Sequence, residues 1–298
     1  MIMLRGVSPS PIAHGSTEPC FLFQVCCSTV DFFGYSNFGS SALLCLLLSW
    51  CFSVVLADEV TLVRPDCRDD GFVPLSQGDQ LAHWNHNGNW EINSGMIYRQ
   101  DKGGALVYVG SKVPDDFDLR FEWKVGKGSN SGIYYRPTQY EYQILDNAGH
   151  ADGQNPRTSA ASLYFCVQPS KDMTKPVGEW NTGRVVCKGT IIQHWLNGDK
   201  VIHLDYRDPK WASNVDMLRQ RGGNLETRGA NLSLQDHGNP VWYRNIRLKK
   251  LKESEPIDMN EVTPAEIPAS VLQAEKKKLA GIIQRREMSK QSQDQNKQ

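Results

Sequence analysis

Hydrophobic and polar residues alternate one for one through much of the middle of the chain. The clearest run is Leu119 to Val125, where Leu119, Phe121, Trp123 and Val125 fall on one face and Arg120, Glu122 and Lys124 on the other. That period of two marks a strand with one buried face. Trp90 to Tyr98 reads as two short strands hinged on Asn93-Ser94-Gly95, and Ala105 to Gly110 as a further apolar strand. Ile191 to Leu196 and Lys200 to Leu204 flank Asn197-Gly198, a strong hairpin turn. Ser162 to Val167, Asn231 to Gly238 and Val241 to Leu251 also read as strands. Strands that follow one another without intervening helices predict an antiparallel all-β fold. Between them, Asn147 to Ser159 and Pro169 to Gly178 carry the Gly, Asn, Asp and Pro of loops, and Val215 to Arg219 is expected to be a short helix.

One stretch departs from the plain pattern. Asn130 to Asp146 sets amides, an arginine and two carboxylates within what is otherwise a β-hairpin. By alternation Asn130, Tyr134 and Arg136 share one side, Glu141 and Gln143 likewise share a side, and a β-bulge before Asp146 would return it to that of Glu141 and Gln143. Gln235 and His237 fall opposite Leu232 and Leu234 in the same way. The plainer alternatives are a cross-strand Arg136–Glu141 pair, a turn at Asp146-Asn147 and a polar hairpin end at Asp236-His237-Gly238. His150 and Asp152, in the following loop, lie within reach of the same face or are simply solvated.

The two ends differ in composition. Ser41 to Ala57 is a short apolar run ending in Val55-Leu56-Ala57, which predicts a secretory leader cleaved after Ala57 and hence a secreted, periplasmic or cell-surface protein, with an uncleaved anchor as the alternative. The expected division is a leader over 1–57, a linker over 58–70, the domain over 71–251 and a charged, helical or disordered tail over 252–298. Within that tail, Pro264 to Ile267 and Ala269 to Arg286 are the helical candidates, and the whole reads as an appendage, with docking against the domain or a partner as the alternative. Five of the eight cysteines lie in the leader. Cys166 and Cys187, inside apolar runs, are expected to be buried thiols, with a single bridge between them as the alternative. Lys and Arg balance Asp and Glu at 33 each, so there is no electrostatic case for nucleic acid or an anionic membrane. The eight tryptophans are expected mostly in the core, Trp180 among them, although sugar stacking is a second use of such residues.

Seven blocks in order, W-E-I-N-S-G-M-I, D-F-D-L-R-F-E-W-K-V, N-S-G-I-Y-Y-R, Y-E-Y-Q-I-L-D-N, G-E-W-N, H-W-L-N-G and L-Q-D-H-G-N-P-V-W-Y-R-N-I-R-L-K-K-L, resemble the 3-keto-disaccharide hydrolase family over about residues 71 to 251. The resemblance implies a concanavalin-like jelly roll of two antiparallel sheets with the site on one of them. It also implies a small keto-sugar as substrate. A carbonyl at C3 acidifies the C2 proton, so a base removes it, the C1 substituent leaves, and water adds to the enone. Such a reaction calls for a base, an enolate stabiliser and an acid. Glu141 or His237 are the candidate bases and Asp146 the acid or an orienting group. Arg136, Gln143, Gln235, Asn130 and Tyr134 are the candidate substrate-binding residues. A divalent cation held by Glu141 and His237 is the alternative to Arg136 as electrophile. Glu141-x-Gln143-x-x-Asp146 also resembles the E-x-D-x-x-E strand of laminarinase-type glycosidases, but an amide replaces the middle acid, which disfavours paired-carboxylate hydrolysis. A non-catalytic carbohydrate-binding module on the same scaffold is the alternative from outside the enzymes.

Overall fold

The computed structural model describes residues 70–138 and 140–295; the expected leader over 1–57 and Cys67 lie outside the described residues. Among the described residues thirteen strands are formed: β1 (Val73–Pro74), β2 (Trp84–Asn85), β3 (Trp90–Asn93), β4 (Met96–Arg99), β5 (Leu106–Tyr108), β6 (Phe117–Val125), β7 (Asn130–Arg136), β8 (Tyr140–Leu145), β9 (Asn181–Lys188), β10 (Ile191–Leu196), β11 (Asp199–Asp205), β12 (Ser233–Leu234) and β13 (Val241–Lys250). The larger sheet runs β11-β10-β9-β6-β13-β4-β3, with β1 also paired to β13, and the smaller runs β2-β5-β12-β7-β8. Every strand pair is antiparallel. The two sheets pack face to face as the expected jelly roll.

Alternation places the core. On β6 the residues Phe117, Leu119, Phe121, Trp123 and Val125 are all buried, and on the facing sheet Ile133, Tyr135, Tyr142 and Ile144 meet them. Phe121 stacks edge-on to Tyr142 at 5.0 Å and Phe117 to Tyr135 at 5.9 Å, so aromatic pairs bridge the layers. His194 of β10 sits in that core. Its Nε2 meets the Tyr135 hydroxyl at 2.9 Å and its Nδ1 the Ala161 carbonyl at 2.9 Å, while burial pushes its pKa down to about 4. It is a satisfied, neutral core histidine.

Several expectations change. Ser162 to Val167 is not a continuous strand, because Ala161 and Phe165 adopt positive φ (64° and 60°) and fold the segment into isolated bridges beside β8. Pro264 to Ile267 is not helical: Ala265 instead exchanges bonds with the 168–169 segment, its N–H reaching the Pro169 carbonyl at 3.1 Å and its own carbonyl accepting from Gln168 at 2.7 Å. Trp180 lies outside the core, with Arg244 over its ring at 4.1 Å and Lys124 between it and Trp242. Cys166 and Cys187 are buried and unbridged, and burial pushes the thiols up to about 12 and about 11.

The α-helices among the described residues are α1 (Ala212–Gln220), which contains the expected Val215–Arg219 turn, and α2 (Ala269–Gln295). The segment read as an appendage is seated on the domain. Lys200 pairs with Asp258 at 2.9 Å, Lys249 with Glu255 at 2.5 Å, and Arg157 with Glu275 of α2 at 2.6 Å.

Candidate active site

The outward face of the smaller sheet carries the polar residues. Because Ile133, Tyr142 and Ile144 point to the core, Gly132, Tyr134, Glu141 and Gln143 point away from it. The chain beyond the sheet edge extends this face. Gln143 N–H donates to the Ser162 carbonyl (3.2 Å) and Tyr164 N–H to the Glu141 carbonyl (3.1 Å), which sets Ser162 and Tyr164 beside Gln143 and Glu141. On the other flank, Gln235 N–H donates to the Gly132 carbonyl (2.8 Å) and its Nε2 to the Tyr134 hydroxyl (3.0 Å). The loop over 151–158 closes above, with Gln143 Nε2 donating to the Thr158 carbonyl (3.3 Å) and the Tyr164 hydroxyl to Asp152 (3.3 Å).

Glu141 is at the centre and is 2 % exposed. Its carboxyl lies over Gly132, where any Cβ would overlap it, so the glycine provides the space the acid occupies. Burial raises its pKa from 4.5 to about 8; the Tyr134 phenol and the Arg221 guanidinium pull it down and Asp152 pushes it up. Arg221 follows α1 and stacks over Phe165 at 4.3 Å and Tyr164 at 5.1 Å. Burial lowers its pKa, against the opposing fields of Tyr164, Glu141, Tyr134 and Asp152.

Polar atoms converge here without protein partners. Arg221 Nε and Nη1, Asn130 Oδ1, Gln143 Oε1, Gln235 Oε1 and Ser162 Oγ are buried and unpaired. Buried polar groups are ordinarily hydrogen-bonded, so a cluster of unpaired ones is a place for water or for the hydroxyls and carbonyl of a ligand.

The structure thus gathers Glu141, Gln143, Gln235, Tyr134 and Asn130 of the expected set and separates the other three. Arg136 leaves the face because a bulge between Tyr134 and Arg136 turns it opposite Tyr140, where it donates to the Asp115 carbonyl and lies over Phe117. The bulge expected before Asp146 is therefore at the other end of the hairpin. Asp146 accepts backbone N–H groups from Gly128 (2.7 Å), Gly149 (3.1 Å) and Ala148 (3.2 Å), which makes it a turn anchor. His237 is exposed beyond the end of β12, with no hydrogen-bond partner among the described residues. Its neighbour Asp236 is the fixed residue, taking Arg99, Asn89 and the N–H groups of Gly103, Gly104 and Gly238. Among the described residues no group of three or more His, Cys, Asp or Glu side chains gathers as a metal ligand set. Arg221 and Tyr164 were not among the sequence candidates. Arg221 lies in an irregular charged stretch, and Tyr164 has only its place two residues from Ser162 to signal it.

Residues 71–249 match the 3-keto-alpha-glucoside-1,2-lyase-like domain. A 3-keto-disaccharide hydrolase of Bacteroides thetaiotaomicron is 31% identical over 232 residues, which cover 61% of this chain and 79% of that protein. The solved structure of a candidate glycosyl hydrolase from Parabacteroides distasonis superposes with a TM-score of 0.50 at 24% identity, over 61% of this chain and 94% of that one, and supports the fold.

Proposed function

The chain belongs to the 3-keto-alpha-glucoside-1,2-lyase-like family, and from that premise we propose that it is a carbohydrate-active enzyme that opens 3-keto-glycosides at Glu141. The observation that carries this is a buried carboxyl with a pKa near 8 that feels the field of an arginine with two buried, unpaired N–H groups. A base of that strength suits a proton made acidic by an adjacent ketone. Glu141 takes the C2 proton, and the electron pair moves through C2–C3 onto the C3 oxygen. Arg221 Nε and Nη1 hold the resulting enolate, a role that calls for donors fixed in advance in a water-poor site. The enolate then collapses, the C1–O bond breaks, and the proton on Glu141 passes to the departing oxygen. Addition of water across C1–C2 gives the free 3-keto sugar. Gln143, Gln235 and Asn130 offer carbonyl oxygens to the sugar hydroxyls, and Tyr134 holds Gln235 in place. Export is part of the same proposal and rests on the apolar run ending at Ala57.

The test is to incubate the purified protein with a 3-keto-glucoside and with its unoxidised parent, following enone absorbance and release of the C1 substituent. Turnover of the keto-sugar alone, abolished by Glu141→Gln, is the expected result. Cleavage of the parent glycoside would favour a conventional hydrolase, and saturable binding with no turnover a carbohydrate-binding module; either defeats the proposal.

A further inference from the structure

Helix α2 begins beyond the last residue matched by the family domain, yet among its described side chains the one that is buried is a carboxylate. Glu275 is 5 % exposed, and it sits among residues of intermediate exposure, Leu272 and Leu279, that face Met217 of α1. An apolar residue would fill that stripe at less desolvation cost, so the charge is there for what it holds rather than for packing.

What it holds is the loop above the site. Glu275 accepts from Asn155 Nδ2 at 2.8 Å and from Arg157 Nη1 at 2.6 Å. Arg157 lies in the second of two short 3-10 turns, Ala151–Gln154 and Pro156–Thr158, and Asn155 joins them; these turns present Asp152 to the Tyr164 hydroxyl and the Thr158 carbonyl to Gln143. One turn further along α2, Lys278 reaches Asp152 at 3.5 Å. Near the far end, Arg286 donates to the Gln220 carbonyl at 2.9 Å, at the residue before Arg221, and packs against Gly222, where a Cβ would overlap its guanidinium. The helix thus grips both elements that flank Glu141, the loop bearing Asp152 and the chain bearing Arg221.

We infer that α2 is an integral wall of the active site and that Glu275 is a positioning residue, setting the 151–158 loop and, with Arg286, Arg221 against Glu141. This rests on the proposed reaction for its kinetic consequence, but not for its structural one. Displacement of positioned groups by an ångström costs on the order of 10²-fold in rate.

The experiment compares wild type, Glu275→Ala, Glu275→Gln and Arg286→Ala in turnover of a 3-keto-glucoside and in amide hydrogen exchange, well below the melting temperature. Glu275→Ala is expected to lower kcat by about ten- to a hundredfold, more than it alters KM. The Gln variant, which keeps a partner for Asn155, recovers part of the loss. In exchange, segments 151–158 and 217–222 lose protection together in Glu275→Ala while β7 and β8 do not. Arg286→Ala loosens 217–222 alone. Unchanged kcat, or loosened segments with full kcat, overturns the positioning role. If wild type turns over no keto-sugar, the proposed reaction fails by itself. The brace is then judged by exchange: joint loss of protection in the two segments supports it, and independent behaviour overturns it.

Discussion

Glu141→Gln separates the burial of this carboxyl from every other source of pH dependence. In the unfolded chain the group titrates near 4.5 and in the folded protein near 8. The folded state therefore holds a proton that the unfolded state has released across that window, and stability falls as pH rises through it. Below 4.5 there is no penalty; above about 8 it is complete. At about 1.4 kcal/mol per pH unit, the span corresponds to an upper bound on the order of 5 kcal/mol. Glutamine keeps the shape and cannot ionise. Urea unfolding of both proteins at about pH 5 and about pH 9 should show the variant gaining several kcal/mol on wild type at the alkaline end, contributions from all other groups cancelling in the difference. The same ionisation should appear in kinetics, with wild-type kcat/KM rising as pH passes through about 8. Parallel stability curves for the two proteins would refute the assignment of a buried, strongly raised carboxyl, and with it the base.

The remaining predictions concern the residues around it. Arg221→Met should lower kcat by about 10²–10³-fold, as loss of a preorganised donor does, with Arg136→Met as a comparison that leaves the chemical step in place; equal kinetic losses would remove Arg221 from the enolate. Gly132→Ala should destabilise by about 1–3 kcal/mol and move the kinetic pH midpoint, because the new methyl displaces the Glu141 carboxyl, and an unmoved midpoint would contradict the close approach. His237→Ala should change stability by no more than about 0.5 kcal/mol and leave kcat intact, whereas Asp236→Asn should cost about 3–5 kcal/mol. Burial works against the Asp236 charge, but the N–H groups of Gly104, Gly103 and Gly238 with Arg99 hold its pKa at about 2. Its contribution is therefore present above 3.8 and lost as pH falls through about 2, which acid unfolding would reveal.

The sheet face was legible because Tyr140, Tyr142 and Ile144 are apolar and alternate with Glu141 and Gln143, and that alternation survives for as long as the ladder does. The misplaced residues lie where the ladder stops. Strand β12 has two residues, so the parity read through Leu232 and Leu234 carries to Gln235, which β7 still pairs, and not to His237, which nothing pairs. Asp146 follows the last residue of β8, where its carboxyl meets backbone N–H groups before it can meet a substrate. Arg221 was beyond reach for a different reason. Its position comes from stacking on Phe165 and from the end of a short helix, which are tertiary facts with no local period.

The bulge in β7 connects the misplaced arginine to the chemistry. Had alternation continued, Arg136 would stand on the Glu141 face and pair with it across the hairpin. An opposite charge at that distance lowers a carboxyl by 1–3 pH units, and a paired carboxylate is a poor base. With the bulge, Arg136 turns to Phe117 and Tyr140, and the cation left near Glu141 is Arg221, which approaches from another layer and forms no ion pair with it among the described residues. Burial then governs Glu141, and the guanidinium stays free to meet a charge that develops on the substrate. One extra residue in a strand thus turns a stabilising cross-strand ion pair into an acid with no ion-pair partner among the described residues and a nearby guanidinium with unpaired N–H groups, which is the arrangement that proton abstraction beside a ketone requires.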